Sequence, residues 1–162
     1  MARLFIAVWP PENVLAELAR LNLDEIAGIR PVRPETWHIT MRFLGNAESD
    51  DVRQALAGAR LAPAHARLGP GLAVIAGRVL AVSVAGLDAL AATVTDLTAG
   101  IGKPARQPFR GHLTLARVKA PTLDIGNVVF SGHFDVKEIA LVASRTEADG
   151  AHYQTIDTWP VG

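Results

Sequence analysis

The stretch Trp37-His38-Ile39-Thr40-Met41-Arg42-Phe43-Leu44-Gly45 and its shorter echo, His112-Leu113-Thr114-Leu115-Ala116-Arg117-Val118, decide the fold of this chain. Each is a strand-like run carrying the tripeptide His-hydrophobic-Thr. Residues i and i+2 of a strand share a face, so each His stands beside its Thr while Ile39 or Leu113 points into a core. Two such strands facing one cleft would supply two imidazoles and two hydroxyls. One imidazole can take a proton and the other give one, which suffices for acid–base chemistry on a phosphodiester without a metal. With five His and ten Thr in 162 residues, chance alone supplies about 0.3 such spacings. The surroundings must therefore decide whether the echo has meaning.

The surroundings repeat as well. Arg3-Leu4-Phe5-Ile6-Ala7-Val8 opens one unit and Arg78-Val79-Leu80-Ala81-Val82-Ser83-Val84 opens another. Each run is followed by an amphipathic helical pattern, a Pro-containing loop and the His-x-Thr strand. From Arg3 to His38 is 35 positions, and from Arg78 to His112 is 34. In the first unit Pro11 suits the first helical position, and Val14, Leu15, Leu18, Leu21 and Leu23 form an apolar stripe. In the second, Leu87, Leu90, Ala91, Val94, Leu97 and Ile101 do the same, and Gly100 and Gly102 end it. A duplicated strand–helix–strand module, spanning about 3–45 and 78–118, would place the two His in equivalent positions across a pseudo-two-fold axis.

Composition fits a compact enzyme. The chain is 49% hydrophobic with 16 basic and 16 acidic residues, a neutral balance that disfavours coating long nucleic acid by general electrostatics. At this length a single domain, residues 1–162, can bury a substantial core. The absence of Cys removes disulfides, thiol nucleophiles and thiolate metal sites, and suits a reducing cytoplasm. Met1-Ala2-Arg3-Leu4-Phe5 reads directly into a strand without a signal peptide's apolar region. No apolar run is long enough to span a bilayer, so a soluble cytoplasmic protein is expected.

Elsewhere the pattern is coarser. Ser49 is expected to cap a helix over 50–60, with Asp50 and Asp51 favoured there by the helix dipole. Residues 63–71 read as a loop or irregular strand, 72–76 and 78–84 as a hairpin across Gly77, and 128–136, 137–144 and 153–159 as strands. Helices alternating with strands that also form hairpins predict an α+β fold, with sheet faces lining a cleft and helices outside. His65, His133 and His152 lack a Thr two positions on and read as surface or structural residues, none with the spacing of a metal site.

At this point the chain resembles a known family, the two-histidine phosphoesterases. It is most similar to the bacterial and archaeal RNA 2′,3′-cyclic phosphodiesterases, also called 2′-5′ RNA ligase-like proteins. The likeness runs through Arg3-Leu4-Phe5-Ile6-Ala7, His38 to Gly45, Arg78-Val79-Leu80, Pro108 to Arg117, and Tyr153 to Trp159-Pro160. Gly111 departs from it, since the family usually has Pro there. The resemblance implies a bilobal fold of two pseudo-symmetric α/β modules, with antiparallel sheets lining a central cleft. It also implies hydrolysis of terminal 2′,3′-cyclic phosphate to a 2′-phosphate with no metal or cofactor. The implied substrates are RNA 3′ ends or nucleotides bearing that group, and a monomer is expected.

The chemistry that the implied substrate and product require can be matched to the residues. Water must attack phosphorus in line with the departing 3′ oxygen, so His38 and His112 would share the base and acid roles, with His38 taken as the acid. Thr40 and Thr114, stiff at χ1, would donate to the equatorial phosphoryl oxygens. Arg117 lies five residues past His112, which simple alternation puts on the opposite face as a surface arginine. The resemblance places it in the site as the phosphate clamp and implies that Phe43, at the same +5 offset from His38, stacks on the terminal base; from the residues alone Phe43 reads equally as a core residue beside Ile39 and Met41. By parity Arg42 and Arg110 share the His faces. The alternatives are ATP-independent 2′-5′ ligation at the same site and a non-catalytic module that grips RNA ends.

Overall fold

The structure is a computed structural model that describes residues 2–120 and 123–162. Its strands are β1 (Ala2–Val8), β2 (Ile29–Pro31), β3 (Ile39–Ala47), β4 (His65–Ile75), β5 (Val79–Ala85), β6 (His112–Val118), β7 (Gly132–Asp135), β8 (Glu138–Glu147) and β9 (Gly150–Pro160). The helices are α1 (Glu12–Leu18), α2 (Ser49–Leu56) and α3 (Asp88–Leu97). The strands form one antiparallel sheet in the order β7-β4-β5-β6-β3-β1-β8-β9, with β2 beside β6. Its two halves meet at β3 and β6, which share the single pair Ile39–Leu113, the central residues of the two His-x-Thr tripeptides. The expected antiparallel sheets are thus halves of one sheet. Among the described residues no helix is long and apolar enough to cross a membrane.

One face of the sheet carries the main core. Leu4, Ile6 and Val8 of β1 meet Val14 and Leu18 of α1, Val52 and Leu56 of α2, and Leu87, Leu90 and Val94 of α3. The other face of β1 is covered too, because Phe5 and Ala7 pack with Ala140 and Val142 of β8 and against Trp9 and Tyr153. Burial on both sides explains why five successive residues from Leu4 to Val8 are buried, where a one-sided strand would alternate.

Several sequence boundaries move. α1 stops at Leu18, and Leu23–Glu25 forms a separate 3-10 turn, with Leu21 and Leu23 still turned toward the core. Glu48, in extended conformation, occupies the N-cap position of α2, and Ser49 is its first helical residue. β4 takes in most of the stretch 63–71. Its register against β5 skips between Leu68 and Leu72, an irregularity that a one-strand pattern does not show. Only Gly132–Asp135 of 128–136 is a strand, with Val129 making an isolated bridge to Gly71. His38 lies just before β3, while His112 begins β6.

Candidate active site

The face on which each site residue lies is fixed by strand register. Ala7 pairs with Thr40 and Phe5 with Phe43, whereas Ile6 pairs with Arg42. Phe5 and Ala7 belong to the cleft face and Ile6 to the core face. Two residues of β1 step from Ala7 to Phe5 while β3 steps three, so β3 carries an extra residue between Thr40 and Phe43. This β-bulge reverses the alternation beyond it. Thr40 and Phe43 therefore share the cleft face.

β6 carries the same device. Ser83 pairs with His112, Ala81 with Thr114 and Val79 with Arg117, and the register shifts between Leu80 and Ala81. Leu115 and Ala116 both enter the core, and Arg117 emerges, exposed, on the face of His112 and Thr114. Strict alternation had put Arg117 on the far side; a bulge at the equivalent offset in both strands corrects that. It also corrects Arg42. Rather than sharing the His face, Arg42 is buried and donates to Thr98 Oγ1 (2.8 Å) and the Ile101 carbonyl (3.0 Å) at the end of α3.

At the junction, the antiparallel pair Ile39–Leu113 sets His38 opposite Thr114 and Thr40 opposite His112 when the register is continued. The two His are diagonal partners, roughly 7–8 Å apart along the backbone. Each imidazole is held in the same way. His38 Nδ1–H donates to the Thr36 carbonyl at 2.6 Å, and His112 Nδ1–H donates to the Arg110 carbonyl at 2.7 Å. A carbonyl can only accept, so in both rings the Nδ1 proton is fixed and Nε2 is left as the reactive nitrogen. Thr40 Oγ1 lies 2.9 Å from His38 Nε2.

The two environments differ. The His38 ring lies against Phe5 (4.9 Å between centroids), Tyr153 (5.3 Å, edge-on) and Trp9 (5.7 Å). Burial among these rings holds the His38 pKa below the ordinary imidazole value; the Thr36 carbonyl opposes the shift and the charge of His112 adds to it. Burial pushes the Tyr153 phenol up, and Arg117, within electrostatic reach of it, offsets part of that rise. Phe5, Trp9 and Tyr153 were missed from the sequence. The available signal was the strand parity of Phe5, which no local motif marks as functional.

A groove of about 1000 Å³ continues from Thr40 and His112 along Phe43, Lys103, Phe109 and Arg110. The Phe43 ring is 41% exposed, with Arg3 Cζ 5.1 Å and Lys103 Nζ 6.0 Å from its centroid, a surface suited to a planar base. Gly111 also finds its reason here. A Cβ at this position would stand 2.3 Å from the Val84 carbonyl oxygen, so the strand approach to His112 admits only glycine as built.

The remaining His are less solitary than their sequence positions suggest. His152 Nε2 is 2.6 Å from Asp149 and 3.3 Å from Glu147, and the ligand atoms of all three lie within 4.8 Å. That corrects the expectation that no His has metal-ligand spacing, although Arg33 and Arg145 already pair with these carboxylates. His65 and His133 also meet, on β4 and β7.

Two imidazoles with matched tautomers, two hydroxyls and an arginine, gathered where the halves of a sheet join, define a two-histidine phosphoesterase. Residues 8–68 match the family described as LigT like phosphoesterase. A Thermus thermophilus protein named RNA 2′,3′-cyclic phosphodiesterase is 34% identical, covering 96% of this chain and 88% of its own. One of the same name from Methanocaldococcus jannaschii is 26% identical over 97% and 99%. Among solved structures, Escherichia coli LigT complexed with 3′-AMP superposes with a TM-score of 0.85 at 22% identity, covering 99% of this chain and 98% of that one. The chain belongs to the LigT-like phosphoesterase family and is an enzyme of the phosphodiesterase class.

Proposed function

We propose that this chain is an RNA 2′,3′-cyclic phosphodiesterase that opens the terminal cyclic phosphate to a 2′-phosphate by two-histidine acid–base catalysis. The observation that carries this reading is the mirrored pair, each Nδ1 tied to the carbonyl two residues back and each Nε2 on the cleft face. The names of the relatives, and the 3′-AMP in one neighbour, point to the same substrate class.

His112 takes the proton of a water in line with the 3′ oxygen, and His38 protonates that oxygen as it leaves. Burial lowers the His38 pKa in the free enzyme and so disfavours its protonated form. The same low-dielectric surroundings strengthen its attraction to a bound phosphate anion, so the substrate itself restores the proton it will need. Thr40, Thr114 and Arg117 hold the equatorial oxygens; the guanidinium matches the geometry of two of them. Phe43 stacks on the terminal base. Every proton and every anion contact is supplied by a side chain, so the reaction requires no metal or cofactor. We place residues 1–162 in one domain built on the repeated module, with RNA 3′ ends as substrates, acting as a cytoplasmic monomer.

The test is mass analysis, with chromatography against authentic 2′- and 3′-phosphate standards, of a short RNA ending in 2′,3′-cyclic phosphate after incubation in excess EDTA. The expected product has gained one water and carries its phosphate on the 2′ oxygen. A 3′-phosphate product, or turnover that stops until a divalent ion is returned, overturns the mechanism.

A further inference from the structure

We propose that His65 and His133 form a surface site for a divalent cation of the zinc type, with Asp135 as its orienting partner. The three residues lie on the outer strands β4 and β7, where His65 pairs with Asp135 and His133 with Arg67. Arg67 in turn pairs with Ala85, and Ser83 with His112, so the cluster shares the sheet face of His112, two to three strands away.

The geometry fits a metal clasp as closely as it fits a bent ring–ring hydrogen bond. His65 Nε2 and His133 Nδ1 are 3.2 Å apart, and the ring centroids are 5.1 Å apart. Two nitrogens bound at ordinary zinc distances to one tetrahedral ion stand about 3.3 Å apart, with ring centroids about 5.2 Å apart. A linear N–H···N bond of the observed length would carry the centroids to about 5.5 Å. The rings are bent toward a common point, as two ligands of one ion would be.

Asp135 completes the pattern. Its Oδ1 accepts from His65 Nδ1–H at 2.8 Å. That bond fixes the tautomer and leaves the His65 Nε2 lone pair facing His133. A carboxylate holding the far nitrogen of a ligating imidazole is the common outer partner of zinc-bound histidine. Water would fill the other positions. Arg67 across from His133, and Lys137 near Asp135, limit the affinity. The site is distinct from the acidic turn of Glu147, Asp149 and His152, whose carboxylates are already paired with arginines.

Calorimetric titration of the full chain with Zn²⁺ near neutral pH tests this. One equivalent should bind, with binding lost in His65→Gln and in His133→Gln. Asp135→Asn should bind about 10-fold or more weakly, as for outer partners elsewhere. Glu147→Gln should bind as the parent does, and thermal melts without metal should superpose for all variants. Binding that survives both His substitutions, that vanishes in Glu147→Gln, or that is absent at micromolar Zn²⁺ overturns the proposal. Because the readout is binding and not turnover, its failure leaves the proposed catalytic function untouched.

Discussion

Thr40→Val separates a catalytic hydroxyl from a strand residue. Valine keeps the branched shape and is at least as favourable in a strand, so a threonine present only for its propensity would be replaced without loss. In the structure the hydroxyl faces the cleft 2.9 Å from His38 Nε2, beside the position assigned to the phosphoryl oxygens. A hydrogen bond to a charged group contributes about 1.5–3 kcal/mol, so its loss in the transition state predicts a fall in kcat/KM of about 10- to 150-fold. The assay is steady-state hydrolysis of a short 2′,3′-cyclic phosphate RNA, with a thermal melt confirming the fold. In a His38→Ala background the same change should cost far less, because groups acting on one transition state are not additive. A Thr40→Val enzyme within about twofold of the parent refutes the assignment, and the same holds for Thr114→Val.

Four further outcomes follow. Arg117→Met keeps the aliphatic stem but should lower kcat/KM by about 10- to 150-fold through loss of a charged contact; near-normal kinetics would return Arg117 to the surface role that strict alternation gave it. If His38 is the acid, its lowered pKa means kcat/KM falls as pH rises through a value below about 6.5. The corresponding limb of kcat should lie at higher pH, since bound phosphate raises that pKa, and a lower one would contradict that rise; a descending limb that survives His38→Ala would exchange the roles of the two His. In His112→Ala the His38 pKa, read by NMR titration, should rise as the opposing charge is removed, yet remain below the ordinary value because burial is the larger cause. Arg42→Ala should destabilise the fold by about 1.5–3 kcal/mol through lost bonds to Thr98 and Ile101 while turnover per folded molecule is nearly kept; unchanged denaturant midpoints would contradict it.

The sequence made the His-x-Thr strands legible because period-two patterning and helical stripes are local signals. His38, Thr40, His112 and Thr114 needed only that parity, and the structure gathers them at one junction. Arg117 and Phe43 needed more. Their faces depend on an extra residue in each strand, visible only in the register against β1 and β5, and no local pattern in Met41-Arg42 or Leu115-Ala116 announces it. Arg42 was misplaced for the same reason. The aromatic surroundings of His38 come from β1, the adjoining Trp9, and β9, and only sheet order brings Tyr153 to Phe5, 148 positions away. His65 and His133, 68 positions apart, likewise meet only because β4 pairs with β7.

The most direct test of the central claim is the single-turnover rate of His38→Ala, His112→Ala and the double variant on one cyclic-phosphate RNA, each confirmed folded. Each single change should lower the rate by about 10²–10⁴, and the double change should fall well short of the product of the two losses, with His65→Ala unchanged. A folded variant lacking either His38 or His112 that turns over at the parental rate would contradict the account.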